Sequence, residues 1–278
     1  VDYLIHAPAY KRTSGGVRAL HKLCHCLNQA GQVAYVSTSA TNPSWDTPHP
    51  EQGVVNNIAV NGIVVYPEVV RGNPWNAKRV VRYILNRPGL LGGDKEYDSA
   101  ETLFSYSVLW QRFVPSGTRM LIVPVIETNI FNCTGDEGRS GGAFWVGAKG
   151  RSLPRISETE GLVEITSSWP DSWEAMADLF RSVEVFYSYT NYTGLLTEAR
   201  LCGCPAVVVA VEDYVREDYC KGIGDTAGLA FWNKDPGILA ANLRKAKETV
   251  NDFQELFREG MSKFDTQLEK FIEITQEL

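Results

Sequence analysis

The chain has 278 residues, of which 44% are hydrophobic and 22% charged, with a formal net charge of −6. This profile excludes a disordered chain and suits one large domain or two of roughly 130 residues each. No apolar run reaches the roughly 18 residues of a membrane span, no basic segment precedes Val1–Ile5 as a signal peptide requires, and the acidic balance gives no support to a nucleic-acid partner.

In chain order, Asp2–His6 reads as a short buried strand, and Ala7–Gly16 as a loop rich in small and basic residues. Apolar residues at 17, 20, 23, 24 and 27 predict a helix over Val17–Gln29, stopped by Gly31. Val33–Ser37 is the next strand, which completes a βαβ unit and implies a parallel sheet. Thr41–Asn57 reads as loop, Gly62–Pro67 as strand, Asn76–Leu85 as helix ended by Pro88 and Gly89, and Met120–Val125 as strand. The polar, glycine-rich run from Thr134 to Gly142 is the linker candidate.

A second α/β pattern follows. It consists of strand Ala143–Val146, a glycine–basic loop, strand Val163–Ile165, helix Ser172–Arg181, strand Val183–Tyr187, helix Leu195–Cys202 and strand Ala206–Val211. An amphipathic pattern from Leu239 to Ile274 closes the chain. The expected architecture is α/β, with two Rossmann-like domains facing across a cleft. Residues 1–132 form the first domain and 133–250 the second, and a terminal helix over 251–278 packs back on the first domain. The six cysteines fit neither zinc-site spacing nor a disulfide framework, so they read as reduced apolar residues of a cytoplasmic protein, with no metal expected. The absence of an opening Met suggests a segment of a longer protein.

In parallel sheets ligands bind beyond the carboxyl ends of the strands, so the loops there carry the chemistry. Gly15 and Gly16 let a backbone approach a ligand at a helix start, although the same pair also serves a plain turn with Ser14 as N-cap. In Gly147-Ala148-Lys149-Gly150-Arg151, two cations in a glycine-rich loop suit a diphosphate. The run Tyr187–Pro205 crowds hydroxyl residues, Tyr192 among them, before a helix opening at Gly194. There Thr193 and the amides of Gly194 and Leu195 can meet a phosphate, and Glu198 can reach a ligand hydroxyl. His6, at the end of the first strand, is a candidate base, although a lone His is more often structural.

Four blocks carry a resemblance to a known family: Ser14-Gly15-Gly16-Val17; Ile122–Phe131; Phe144-Trp145-Val146-Gly147; and Ala177–Phe186, continuing to Glu198-Ala199 and Gly203-Cys204-Pro205. Together they resemble the retaining GT-B glycosyltransferases similar to family 4, most strongly from 144 to 210. The resemblance implies a nucleotide diphosphate sugar as donor, with Glu198 on the ribose, Lys149 and Arg151 on the diphosphate, residues near Ser167–Trp169 by the base, and Gly16 facing the donor from the other domain. The family often has a glutamate eight residues before Glu198, near the transferred sugar; here Thr190 stands in that catalytic position.

The implied function is transfer of a hexosyl group to a glycan or lipid-linked acceptor, in bacterial surface polysaccharide synthesis. Peripheral membrane contact at the inner face of the membrane is compatible with such an acceptor, and apolar residues on the terminal helix permit a homodimer. Two alternatives stay open: a non-catalytic sugar-nucleotide-binding or scaffold subunit, favoured by Thr190 in place of glutamate, and one domain of a multifunctional synthase, favoured by the small size and the missing opening Met.

Overall fold

The computed structural model describes residues 1–134, 138–209, 216, 217, 219, 220 and 226–278, those at 148 and 149 by backbone alone. The chain divides into two compact units: Val1–Val125 with Met261–Leu278, and Ile126–Gly260. The corresponding boundaries read from the sequence are 132/133 and 250/251.

In the first unit, β1 (Tyr3–Ile5), β2 (Ala34–Val36), β3 (Ile63–Pro67), β4 (Val80–Ile84), β5 (Thr102–Ser105) and β6 (Arg119–Met120) form one sheet in the order β2-β1-β3-β4-β5-β6. Every pairing in it is parallel. Helix α1 (Gly15–Gln29) follows β1 and buries Leu20, Leu23, Cys24 and Leu27, the apolar stripe expected from the spacing.

Three expectations are corrected in this unit. Residues 52–57, read as loop, open helix α2 (Gln52–Asn61). Its Gly53 and three asparagines are poor helix formers, and the helix is held by Val54, Val55 and Ile58 packing with Leu4 and Val64 of the sheet. The helix expected over Asn76–Leu85 is strand β4, buried along its whole length. A strand buried on both faces loses the alternation that marks a strand. Strand β5 was not anticipated, and the strand expected over Met120–Val125 keeps only Met120 in β6.

Arg82, in the middle of β4, is fully buried because its guanidinium is satisfied. It donates to both carboxylate oxygens of Glu101 at 2.8 Å and to the carbonyls of Val70 and Gly72 at 2.9 Å.

The second unit has β7 (Gly142–Trp145), β8 (Val163–Ile165), β9 (Val185–Ser188), β10 (Ala206–Val208) and β11 (Leu229–Phe231), in the order β11-β10-β9-β7-β8, again all parallel. Its strands alternate. Ala143, Phe186, Ala206 and Val208 join α4 (Trp173–Ser182) and α5 (Gly194–Leu201) in one core. Phe144, Tyr187 and Val207 face α6 (Pro236–Thr249) in the other. Apolar layers on both faces are the doubly wound arrangement. The expected glycine–basic loop is instead one helical turn, α3 (Gly147–Gly150).

The terminal amphipathic pattern is not one helix. It runs through α6, a 3-10 turn, α7 (Phe253–Met261) and α8 (Phe264–Gln276). Helix α8 belongs to the first unit, as expected. Phe271, fully buried, stacks on Tyr3 with ring centroids 6.0 Å apart and lies 4.8 Å from Phe104, and the Tyr3 hydroxyl is 2.8 Å from that of Thr275. No described helix is long and apolar enough to cross a membrane.

Candidate functional site

Both sheets share one strand order, 2-1-3-4-5 within each unit, with a sixth strand added to the first. In such sheets the crossover direction reverses between strands 1 and 3, and the loops leaving those two strands part to make a crevice. In the second unit this switch point lies between β7 and β9, where most of the residues selected from the sequence converge.

There Tyr189 N–H donates to the Trp145 carbonyl (2.9 Å), and Thr190 Oγ1 donates to the Val146 carbonyl (3.2 Å). Ser188 Oγ donates to the Thr190 carbonyl (2.7 Å). The chain turns sharply at Gly147, with φ +62°. A Cβ at that position would collide with Thr190 Oγ1 and approach Trp145 Nε1 to 2.9 Å. Glycine is thus required on two counts: the left-handed backbone, and the closeness of the β9 loop.

Helix α5 begins at the same edge. Thr193 occupies its N-cap, its hydroxyl accepting from Leu195 N–H (3.4 Å), and Gly194 and Leu195 form the first turn. Tyr192 is half-buried and stacks on Tyr219 at 5.9 Å, and Tyr219 donates its hydroxyl proton to the Asn191 carbonyl (2.6 Å). Glu198 is only 4% exposed, on the fifth residue of the helix. Arg151 is exposed just past α3; the side chain of Lys149 lies outside the described residues.

Two neighbours were not among the site residues selected from the sequence. Asn191 Oδ1 is buried with no hydrogen-bond partner among the described residues, and Trp145 walls the Gly147 turn.

The first unit presents a separate set at its own switch point, between β1 and β3. Gly15 and Gly16 open α1, and Ser14 sits at the N-cap without a side-chain bond. His6 follows β1, its ring 5.0 Å from Trp75 and 5.8 Å from Tyr66. Its Nδ1 is buried without a partner among the described residues, and burial holds its pKa below the ordinary value, so the ring is a neutral imidazole at pH 7.

Glu68, one residue past β3 and not selected from the sequence, is 3% exposed and accepts from Leu85 N–H at 3.0 Å. Burial pushes its carboxyl up to about 7 against the pull of its backbone hydrogen bonds. Among the described residues no three His, Cys, Asp or Glu side chains gather as a metal site.

No protein-family model matches the chain. No curated protein matches it either. Solved structures do. An alpha-glucosyltransferase (AGT) in complex with UDP is 12% identical, covering 96% of this chain and 99% of that one, with a TM-score of 0.53. The glycotransferase of kitacinnamycin is 11% identical over 99% of this chain and 98% of that one, with a TM-score of 0.51. At such identities the likeness speaks for the backbone, and what it establishes is that this chain has the α/β, two-sheet fold of the GT-B glycosyltransferases.

Proposed function

We propose that the protein is a glycosyltransferase that moves a hexosyl group from a nucleotide diphosphate sugar to a hydroxyl of a glycan or lipid-linked acceptor. The observation that supports this reading is the second unit's switch point, where the loop carrying Gly147 leaves β7 and the loop leading to α5 leaves β9. The positive end of a helix dipole favours an anion, and a glycine turn lets a diphosphate approach the backbone. A similarly folded alpha-glucosyltransferase is in complex with UDP, which supports a nucleotide diphosphate as the ligand class. In this reading Thr193, Gly194 and Leu195 hold the phosphates with Lys149 and Arg151, Tyr192 and Thr190 border the sugar, and Glu198 holds the ribose.

The chemical task is to stabilise the departing diphosphate. The bond from the anomeric carbon to the phosphate oxygen breaks, its electron pair leaving with the nucleotide. The acceptor oxygen bonds to the anomeric carbon and gives up its proton. In a retaining course, which the family resemblance implies, the departing phosphate oxygen takes that proton. The neutral imidazole of His6 supports the alternative, an inverting course in which His6 accepts it.

Thermal unfolding with a panel of nucleoside diphosphates and nucleotide sugars tests the donor site. A ligand at a hundredfold excess over its Kd stabilises the native state by about 2.7 kcal/mol. One nucleotide is expected to produce such a shift and thereby name the carrier, and NMR of the product's anomeric proton then separates retention from inversion. Binding without turnover on any acceptor points to the non-catalytic subunit. No shift with any nucleotide in a folded sample refutes the proposal.

A further inference from the structure

The first unit holds a cavity of about 560 Å3 that the donor chemistry does not use. Pro50, Val55 and Trp75 give it apolar walls; His49, Glu51 and Gln52 give it a polar rim. Its size falls within the roughly 300–1,000 Å3 of small-molecule sites.

The cavity lies on the sheet edge that carries His6. Ser37, which also lines it, directly follows β2 and bonds to Ala7 in both directions: Ala7 N–H donates to Ser37 Oγ (3.0 Å), and Ser37 Oγ donates to the Ala7 carbonyl (3.1 Å). Trp75 is held in place from behind. Its ring is 5.0 Å from that of His6 and 5.5 Å from that of Tyr66, and its backbone N–H donates to the Tyr66 hydroxyl (3.0 Å). A fixed indole offers a large apolar surface at little entropic cost.

The lining selects a ligand class. A pyranose has a flat C–H face and a rim of hydroxyls; an indole suits the first, and the amide, carboxylate and imidazole heads of Gln52, Glu51 and His49 suit the second. No Lys or Arg lines the cavity, and the Glu51 carboxylate adds negative charge, so a phosphate or a uronate is disfavoured.

We propose that this cavity binds a neutral sugar unit of the acceptor, with Trp75 as its stacking face. The proposal rests on the glycosyltransferase reading above and adds the acceptor's chemical class to it.

Saturation-transfer NMR on the whole chain, with maltose, cellobiose and lactose as neutral probes and glucuronic acid as the anionic one, tests it beside UDP titrations of the same samples. At least one neutral disaccharide is expected to receive saturation and to bind at least tenfold more weakly to Trp75→Ala, while nucleotide binding is unchanged. Because Trp75 also supports Tyr66 and His6, the exposed rim variants Gln52→Ala and Glu51→Ala provide the second readout, with an expected severalfold weakening in a fold that stays intact. A nucleotide-binding chain that contacts none of the neutral probes, prefers glucuronic acid, or binds equally well in all three variants overturns the cavity assignment alone. A chain that binds neither nucleotide nor sugar takes the transferase reading down with it.

Discussion

Gly147 is the position at which one methyl group has the most to disturb. Alanine there must hold a left-handed backbone and displace Thr190, so Gly147→Ala is expected to cost about 1–3 kcal/mol in urea unfolding and to weaken nucleotide binding by more than the stability loss explains. Glu68 answers to pH. Its folded-state pKa of about 7 lies above the value near 4.5 that it has when exposed, so the native chain holds the extra proton. Its contribution is therefore full below about pH 4.5 and is lost as pH rises through 7. Glu68→Gln keeps an acceptor for Leu85 without the charge. It is expected to raise stability at pH 8 by up to about 3 kcal/mol and to change little at pH 4, as read from Tm across that range. Tyr97, raised first by burial and then by the Glu68 charge, stays a neutral phenol throughout. Residues such as Gly147, Thr193 and Gly194 were legible in the sequence because glycine and cap residues mark backbone events locally. Glu68 and Trp75 were not, because their roles come from burial and from partners that only the sheet brings near.

Among the elements, those with a clear period were read almost to the residue: Val163–Ile165 as strand, Gly31 after α1, the start of α5. Failures cluster where tertiary context decides. Strand β4 has no alternation because both its faces are buried, and its one charge, Arg82, is hidden by partners 10 to 19 residues away. Helix α2 has too little propensity to announce itself. The terminal pattern kept its period across the joints between α6, α7 and α8, so its breaks were invisible. Helix α8 nonetheless matters to the first unit out of proportion to its length. Phe271→Ala removes the ring that joins Tyr3 and Phe104, and is expected to cost about 3–5 kcal/mol, measurable by urea denaturation monitored at first-unit residues.

At the scale of the whole molecule, charge is divided unequally. Residues 1–125 carry 12 Lys and Arg against 8 Asp and Glu, a balance of +4, whereas residues 126–260 carry 13 against 21, a balance of −8. The chain-wide −6 that argued against polyanions therefore hides a mildly basic first segment. The two units also differ in how the chain builds them, since the second is one continuous stretch and the first is interrupted by it. A chain ending at Gly260 is expected to keep hydrogen-exchange protection over 126–260 and to lose it over 1–125, because Phe264, Leu268 and Phe271 are missing from the first core.

That interruption sets an order of birth. On the ribosome, domains ordinarily fold in the sequence in which they emerge. Here the sheet that emerges first must wait, its Tyr3 and Phe104 lacking a cover, until translation has passed through the whole of the second unit and delivered the final helix. The part made later is the part finished first. Nascent chains stalled near residue 260 should therefore expose an unfinished amino-terminal half to proteases or chaperones while the second unit already resists digestion.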